Sequence, residues 1–399
     1  MSRPEVGTKA NSMRTFRGDF DFTQPALREI SLRVAAVNGI NLGQGVCQTP
    51  PPPEVLSAAQ NAIAEGHNRY APAQGIAELR EALARKFVDF NRLPITSDNI
   101  IVTAGATGAY ESVVQTLLEP GDEVILFRPF YPYHRNATLR ARGVIRTCQM
   151  HFPDWSFSRE EFLKCFTPKT KLVVITTPNN PTGKVFSRED LLWIGQTAAE
   201  RGVWCVADEV YEYLTYDNRE HVSIGSLPGL ADSVITLGSY SKTFSVTGWR
   251  IGYIVAPMSI VNQLRTVSDQ LYVCAPTPLQ HATFRALTDL PASYYEDMRT
   301  MYHTKRTLMA TALSNTGFEF QQPEGAYYIL TSTHHNFPGQ TAGEVLDKMI
   351  AKCGIGAVPT VDFVGPEVVA DKSRDHLLRF CFSVPDEVLL EAGKRLSQL

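Results

Sequence analysis

A chain of 399 residues with 44% hydrophobic and 20% charged side chains has the size of a large globular domain with a smaller companion. Its formal net charge of −3 and pI near 6.3 offer no basic excess to a phosphodiester backbone, which argues against nucleic-acid binding. Seven cysteines, odd in number and without a C-x-x-C pair, argue against a disulfide framework or a zinc site and suit a reducing, cytoplasmic compartment.

The first fifteen residues carry charged and small polar side chains but no apolar stretch of a secretory signal, so a short arm is expected, with Met13 as an alternative start. No run of about 18 apolar residues predicts a membrane span. Prolines 50–53 predict an extended connector. From about residue 98 to 256, short β-branched runs alternate with helical stretches. The runs are 100–103, 123–127, 171–176, 203–207, 233–237 and 251–256. Several are apolar at nearly every position, as strands covered on both faces must be. One unit reads closely: Ser187-Arg-Glu-Asp190 is a capping box, Leu191, Ile194 and Ala198 make one apolar helix face, Gly202 ends the helix, and a strand follows at once. That β-α-β unit predicts a mostly parallel, doubly wound α/β sheet with ligands at the carboxyl ends of its strands. From about 291 the pattern becomes a long helix, short strands near 326–330 and 377–383, and a helix over 341–352, a smaller α+β domain. The expected division is 1–45 as arm and part of the small domain, 46–290 as the large domain, and 291–399 as the small one.

Four segments at predicted strand ends could carry chemistry. In Ser239-Tyr-Ser-Lys242, with Arg250 eight residues on, hydroxyls and a guanidinium suit a phosphate, and a desolvated lysine beside another cation gives up its proton and can attack an aldehyde. Taken alone, such a lysine is an ordinary turn residue. Asp208-Glu-Val-Tyr211 ends another strand and places a carboxylate where it can meet a cationic ring nitrogen. A Walker-B acid would look alike, but no G-x-x-x-x-G-K-[ST] partner exists. Asn179-Asn-Pro-Thr-Gly183 predicts a fixed turn that offers an asparagine amide. Gly105-Ala106-Thr107 opens a helix whose free N–H groups make an anion site, with spacing unlike a dinucleotide fingerprint.

With these segments stand Asn41-Leu-Gly-Gln-Gly45, Tyr70-Ala-Pro with Gly75 and Leu79-Arg80, Pro129-Phe-Tyr131, and Arg379-Phe-Cys-Phe382. In this order, over roughly residues 20–399, the chain resembles the class I aminotransferases of the fold-type I pyridoxal 5′-phosphate (PLP) enzymes. Its texture is similar to kynurenine, glutamine and methionine aminotransferases and cysteine-conjugate β-lyases. The resemblance implies a Schiff base between Lys242 and the cofactor, with Lys242 also moving the substrate proton. It implies Asp208 at the ring nitrogen, Asn180 and Tyr211 at the ring oxygen, and Tyr131 on the ring face. Ser239, Arg250, Gly105, Ala106 and Thr107 would hold the phosphate, and Tyr70 would reach the phosphate of a neighbouring subunit in a homodimer. Arg379, with Gly45 and Asn180, would take the substrate carboxylate. No metal is implied.

The implied reaction moves an amino group from an L-amino acid to a 2-oxo acid. Thr107 stands where some aspartate-selective members carry a lysine, and residues 269–278 hold no arginine, so a second carboxylate would be buried without a partner. A neutral, aromatic or sulfur-containing donor is expected. A C–S β-lyase, an aspartate-type aminotransferase and a non-catalytic regulatory protein on the same fold stay open. Binding of the substrate carboxylate is expected to draw the small domain and the N-terminal segment over the site.

Overall fold

The computed structural model describes residues 27–359, 361–365 and 376–399. The predicted arm and Met13 lie outside the described residues. The prediction of a mostly parallel α/β sheet is borne out: eight strands form one sheet. They are β2 (Ile100–Ala104), β3 (Glu123–Arg128), β4 (Val144–His151), β5 (Ser156–Phe157), β6 (Thr170–Thr176), β7 (Trp204–Asp208), β8 (Val234–Ser239) and β9 (Ile251–Val255). Their order is β2-β9-β8-β7-β6-β3-β4-β5. From β8 through β7, β6 and β3 to β4 all pairings are parallel, whereas β9 runs antiparallel to both β2 and β8. The reversed β9 therefore presents its beginning, not its end, at the edge where the parallel strands finish.

Alternation explains the near-continuous apolar runs. Ile125, Val173, Ile175, Cys205 and Ala207 point to one face and pack with Leu191, Ile194 and Ala198 of α7 (Arg188–Ala199). Val124, Leu126, Leu172, Val174, Val206 and Ile235 point to the other and meet Ala109, Val113 and Val114 of α4 (Gly105–Leu117). Each such aliphatic side chain removed from water stabilises the fold by about 1.5–3 kcal/mol before entropy is counted. Helix α7 begins as its sequence predicts: Ser187 Oγ accepts from the Asp190 N–H at 3.0 Å, and Gly202, at φ +66°, turns the chain into β7. The proline run is not a connector throughout, because Pro53 opens α2 (Pro53–Ala64), where a missing N–H costs nothing.

A second, four-stranded antiparallel sheet has the order β10-β11-β14-β13, built from β10 (Glu319–Phe320), β11 (Tyr328–Ser332), β13 (Val358–Pro359) and β14 (Leu377–Cys381). It packs with α10 (Ser293–Ser314) and α11 (Ala342–Cys353). Near the N-terminus, β1 (Ile40–Asn41) pairs in parallel with β12 (Ile355–Gly356). The start of the described chain is thereby tied to the same C-terminal body. Among the described residues no helix is long and apolar enough to cross a membrane.

Candidate active site

The carboxyl ends of β3, β6, β7 and β8, the beginning of β9 and the first turn of α4 surround a cavity of about 240 Å³. This is where an open α/β sheet places its ligands. Of the residues singled out in the sequence, Gly45, Ala106, Thr107, Tyr131, Asn180 and Asp208 line it. Tyr211, Ser239, Lys242, Arg250 and Arg379 line it too. Gly105 does not line it but directly precedes Ala106, which does. Tyr70 does not line the cavity and is 84% exposed.

At one end sits an anion cradle. Helix α4 starts with no side-chain cap, so its first N–H groups remain free for a ligand. Gly105 has φ +71°, and a Cβ there would lie 2.4 Å from Arg250 Nη2. Only glycine lets the guanidinium come this close to the helix start. Arg250 itself adopts φ 56° and donates from Nη1 to the Thr247 carbonyl at 3.0 Å. Ser239 Oγ lies 2.8 Å from both Ser241 Oγ and the Ile251 carbonyl, which links the ends of β8 and β9.

At the other end Asp208, the last residue of β7, is buried. Its Oδ2 lies 3.0 Å from His134 Nε2 of α5 (Pro132–Arg140). Tyr211 follows in a turn, and its hydroxyl meets that of Tyr328 at 3.1 Å. Burial, reinforced by Tyr328, holds the Tyr211 phenol well above its ordinary pKa. Between the two ends Lys242 Nζ donates to the Gly45 carbonyl at 2.9 Å. Burial lowers its pKa against opposition from Cys47 and Cys381, and Arg379 and Arg250 lower it further.

Arg379, on β14, is buried and aligned from several sides. Nη1 donates to Asn180 Oδ1 at 2.8 Å and Nη2 to the Gly43 carbonyl at 2.7 Å. Its Cζ lies 4.2 Å from the Tyr328 ring centroid and 4.9 Å from that of Phe363. Nε is buried and has no hydrogen-bond partner among the described residues. A guanidinium held flat with an unsatisfied donor is a receptor for a planar carboxylate. Gly45 leaves room beside it, since a Cβ would lie 2.1 Å from the Tyr328 hydroxyl. The predicted turn also forms: Asn179 Oδ1 accepts from Thr182 Oγ1 at 2.8 Å and from the Thr182 N–H at 3.1 Å, which leaves Asn180 facing Arg379.

The sequence reading missed His134, Tyr328 and Phe363. His134 stands three residues beyond Tyr131, and Tyr131 directly precedes α5, so helical spacing from Tyr131 would have flagged it. Nothing local marks Phe363, which reaches Arg379 only through the tertiary fold.

Comparison with known proteins agrees with this geometry. Residues 37–396 match the family described as aminotransferase class I and II. Human kynurenine–oxoglutarate transaminase 1 is 34% identical over 88% of this chain and 90% of that protein. Aspartate/prephenate aminotransferase of Thermus thermophilus is 35% identical over 93% of this chain and 94% of that protein. A crystal structure of an Escherichia coli protein with a methionine aminotransferase function superposes with a TM-score of 0.89 at 30% identity, covering 95% of this chain and 98% of that one. The chain belongs to the class I and II aminotransferases, with their fold-type I architecture, and is an enzyme that moves an amino group from an amino acid to a 2-oxo acid.

Proposed function

We propose that this aminotransferase works with pyridoxal 5′-phosphate bound in the cavity and that its amino donor is neutral, aromatic or sulfur-containing. The observation that carries the reading is the half-buried Lys242, whose amine lies between an anion cradle and a buried carboxylate. The donor set fits the group: Arg250, Ser239 and the N–H groups of Ala106 and Thr107 suit the phosphate, with Gly105 allowing the close approach. Asp208 suits the ring nitrogen, Asn180 and Tyr211 the ring oxygen, and Tyr131 the ring face.

When bound, the group supplies an aldehyde carbon and a ring that accepts electron density. The chain supplies the rest. Lys242 would hold the cofactor covalently and, with its amine free, would take the proton from the substrate α-carbon and return it. Its lowered pKa favours the neutral amine that both tasks need. Asp208 would hold a positive ring nitrogen in place. Arg379 fixes the substrate carboxylate and so points the α-hydrogen toward Lys242.

The donor class rests on the lining. Leu27, Val46, Tyr131, Tyr133, Val358 and Phe363 line the same cavity as Arg379. The lysine and arginines of the lining are Lys242, Arg250 and Arg379, each with a task above, so a second carboxylate finds no cation among the described residues. We further infer a homodimer in which the exposed Tyr70 reaches the neighbouring cradle. We also infer a two-domain chain divided near residues 45 and 290 that closes on substrate, and work in the reducing cytoplasm, which suits the seven free thiols.

The test is direct. The purified protein with PLP is reduced with borohydride, digested and weighed, and the cofactor mass is expected on Lys242. A panel of amino donors is then scored for conversion to pyridoxamine phosphate and for pyruvate plus ammonia. Label on another residue, or none, overturns the cofactor reading. Preference for aspartate overturns the donor class, and pyruvate release in place of the amine form favours a β-lyase.

A further inference from the structure

The turn that ends β7 carries residues that face two ways. Asp208 and Tyr211 face the cavity, whereas Glu209 and Glu212 face away and are buried. Glu209 accepts from Ser223 Oγ at 3.1 Å and the Ile224 N–H at 3.2 Å, and lies 3.1 Å from His221 Nε2. Glu212 meets a buried cation: Lys86 Nζ, from α3 (Ala77–Asp89), lies 2.5 Å from its Oε2, with side chains 7% and 5% exposed. Asn91 Nδ2 and the Tyr253 hydroxyl complete the carboxylate, each at 3.0 Å. Lys86 Nζ also lies over the Phe87 ring, 4.3 Å from its centroid.

The network reaches a second cofactor-facing strand end. Gly238 on β8 precedes Ser239, and a Cβ there would lie 2.2 Å from the Tyr253 hydroxyl. Tyr253 thus touches Glu212 on one side and the backbone beside Ser239 on the other. Burial lowers the Lys86 pKa against the pull of Glu212. Burial alone would raise Glu212, but Lys86 and His221 outweigh it and hold it below its ordinary range. A buried pair closed by hydrogen bonds on its anionic side is stiff, and removing one member leaves an uncompensated charge that must move or draw in water.

We propose that Lys86 is a positioning residue for the aminotransferase reaction: its ion pair with Glu212 fixes from behind the turn that presents Asp208 and Tyr211 to the cofactor. The inference rests on the reading that these two residues hold the cofactor.

The test uses K86M, E212Q and the double variant K86M/E212Q in the full chain. Apo protein is titrated with PLP by fluorescence quenching, and steady-state constants are measured for the holoenzyme. Each single variant is expected to weaken PLP binding and lower kcat by about ten- to a hundredfold, the range found when groups behind a ligand set are removed. KM for the amino donor stays within about twofold, because Arg379 lies on another strand of another sheet. The double variant, which leaves no lone charge, returns PLP affinity and kcat to within about threefold of wild type. Single variants that lower Tm but keep wild-type PLP affinity and kcat overturn the proposal and leave the pair a stabilising contact. A double variant no better than the singles overturns it as well. If K86M does not fold, E212Q decides. Failure of the wild-type chain to bind PLP instead refutes the cofactor reading.

Discussion

His134 Nε2 lies 3.0 Å from Asp208 Oδ2, with both side chains buried at the floor of the cavity. Among the described residues the other polar contact to this carboxylate is a 3.4 Å bond from the Val210 N–H to Oδ1, so the imidazole is its nearer partner. A group behind a functional carboxylate sets its direction as much as its charge.

Replacing His134 with phenylalanine keeps the volume but leaves a buried acceptor short of one donor, a loss of about 1–3 kcal/mol. We expect kcat to fall by about ten- to a hundredfold with little change in KM for the donor. Replacement by glutamine, which can still donate, should recover part of it. Stopped-flow and steady-state assays decide, and a wild-type kcat in the phenylalanine variant rejects the role.

Because the Lys242 pKa lies below its usual 10.5 in the folded chain, the unfolded state binds more protons between the two values. Stability of the apo protein from this residue therefore rises with pH across that window. The difference in denaturant midpoint between wild type and K242M should shift in favour of wild type as pH climbs toward 10.5. A difference that is flat with pH contradicts the shift.

Arg379 to lysine keeps the charge but loses the fork. A hydrogen bond to a charged group is worth about 1.5–3 kcal/mol, so KM for the amino donor should rise by about ten- to 150-fold. PLP affinity should stay near wild type, as the cradle is untouched. An unchanged KM would mean that the carboxylate binds elsewhere.

Tyr70 gives a test of subunit exchange. Y70A and K242A homodimers should each be impaired. Mixed, they should form a heterodimer in which one site has an intact Lys242 and an intact Tyr70 from the other subunit, and activity should reappear. No recovery after verified mixing argues that Tyr70 does not act across an interface.

Much of the large sheet was legible because its strands are apolar on both faces, and those predicted at 100–103 and 123–127 fall within a residue of β2 and β3. Strand β4 escaped notice for the opposite reason. Val144, Arg146 and His151 alternate outward or lie exposed, so it reads as a polar edge. At the cavity, Lys242, Asp208 and Asn180 were legible because each ends a strand or follows one within four residues, inside a short motif. His134, Phe363 and the Lys86–Glu212 pair were not, since their chemistry exists only after distant segments meet. A lysine inside an amphipathic helix carries no local sign that its ammonium will lose most of its contact with water.

The antiparallel register of β2 and β9 sets Ala104 opposite Ile251, and this alone brings Arg250 beside Gly105. The width of the anion cradle is therefore dictated by hydrogen-bond pairing deep in the sheet and not by the loops at its rim. A lesion that slipped β9 by one residue would reverse its side chains and carry the guanidinium out of reach. Such a variant, far from any ligand, would be diagnosed in the laboratory as a loss of affinity.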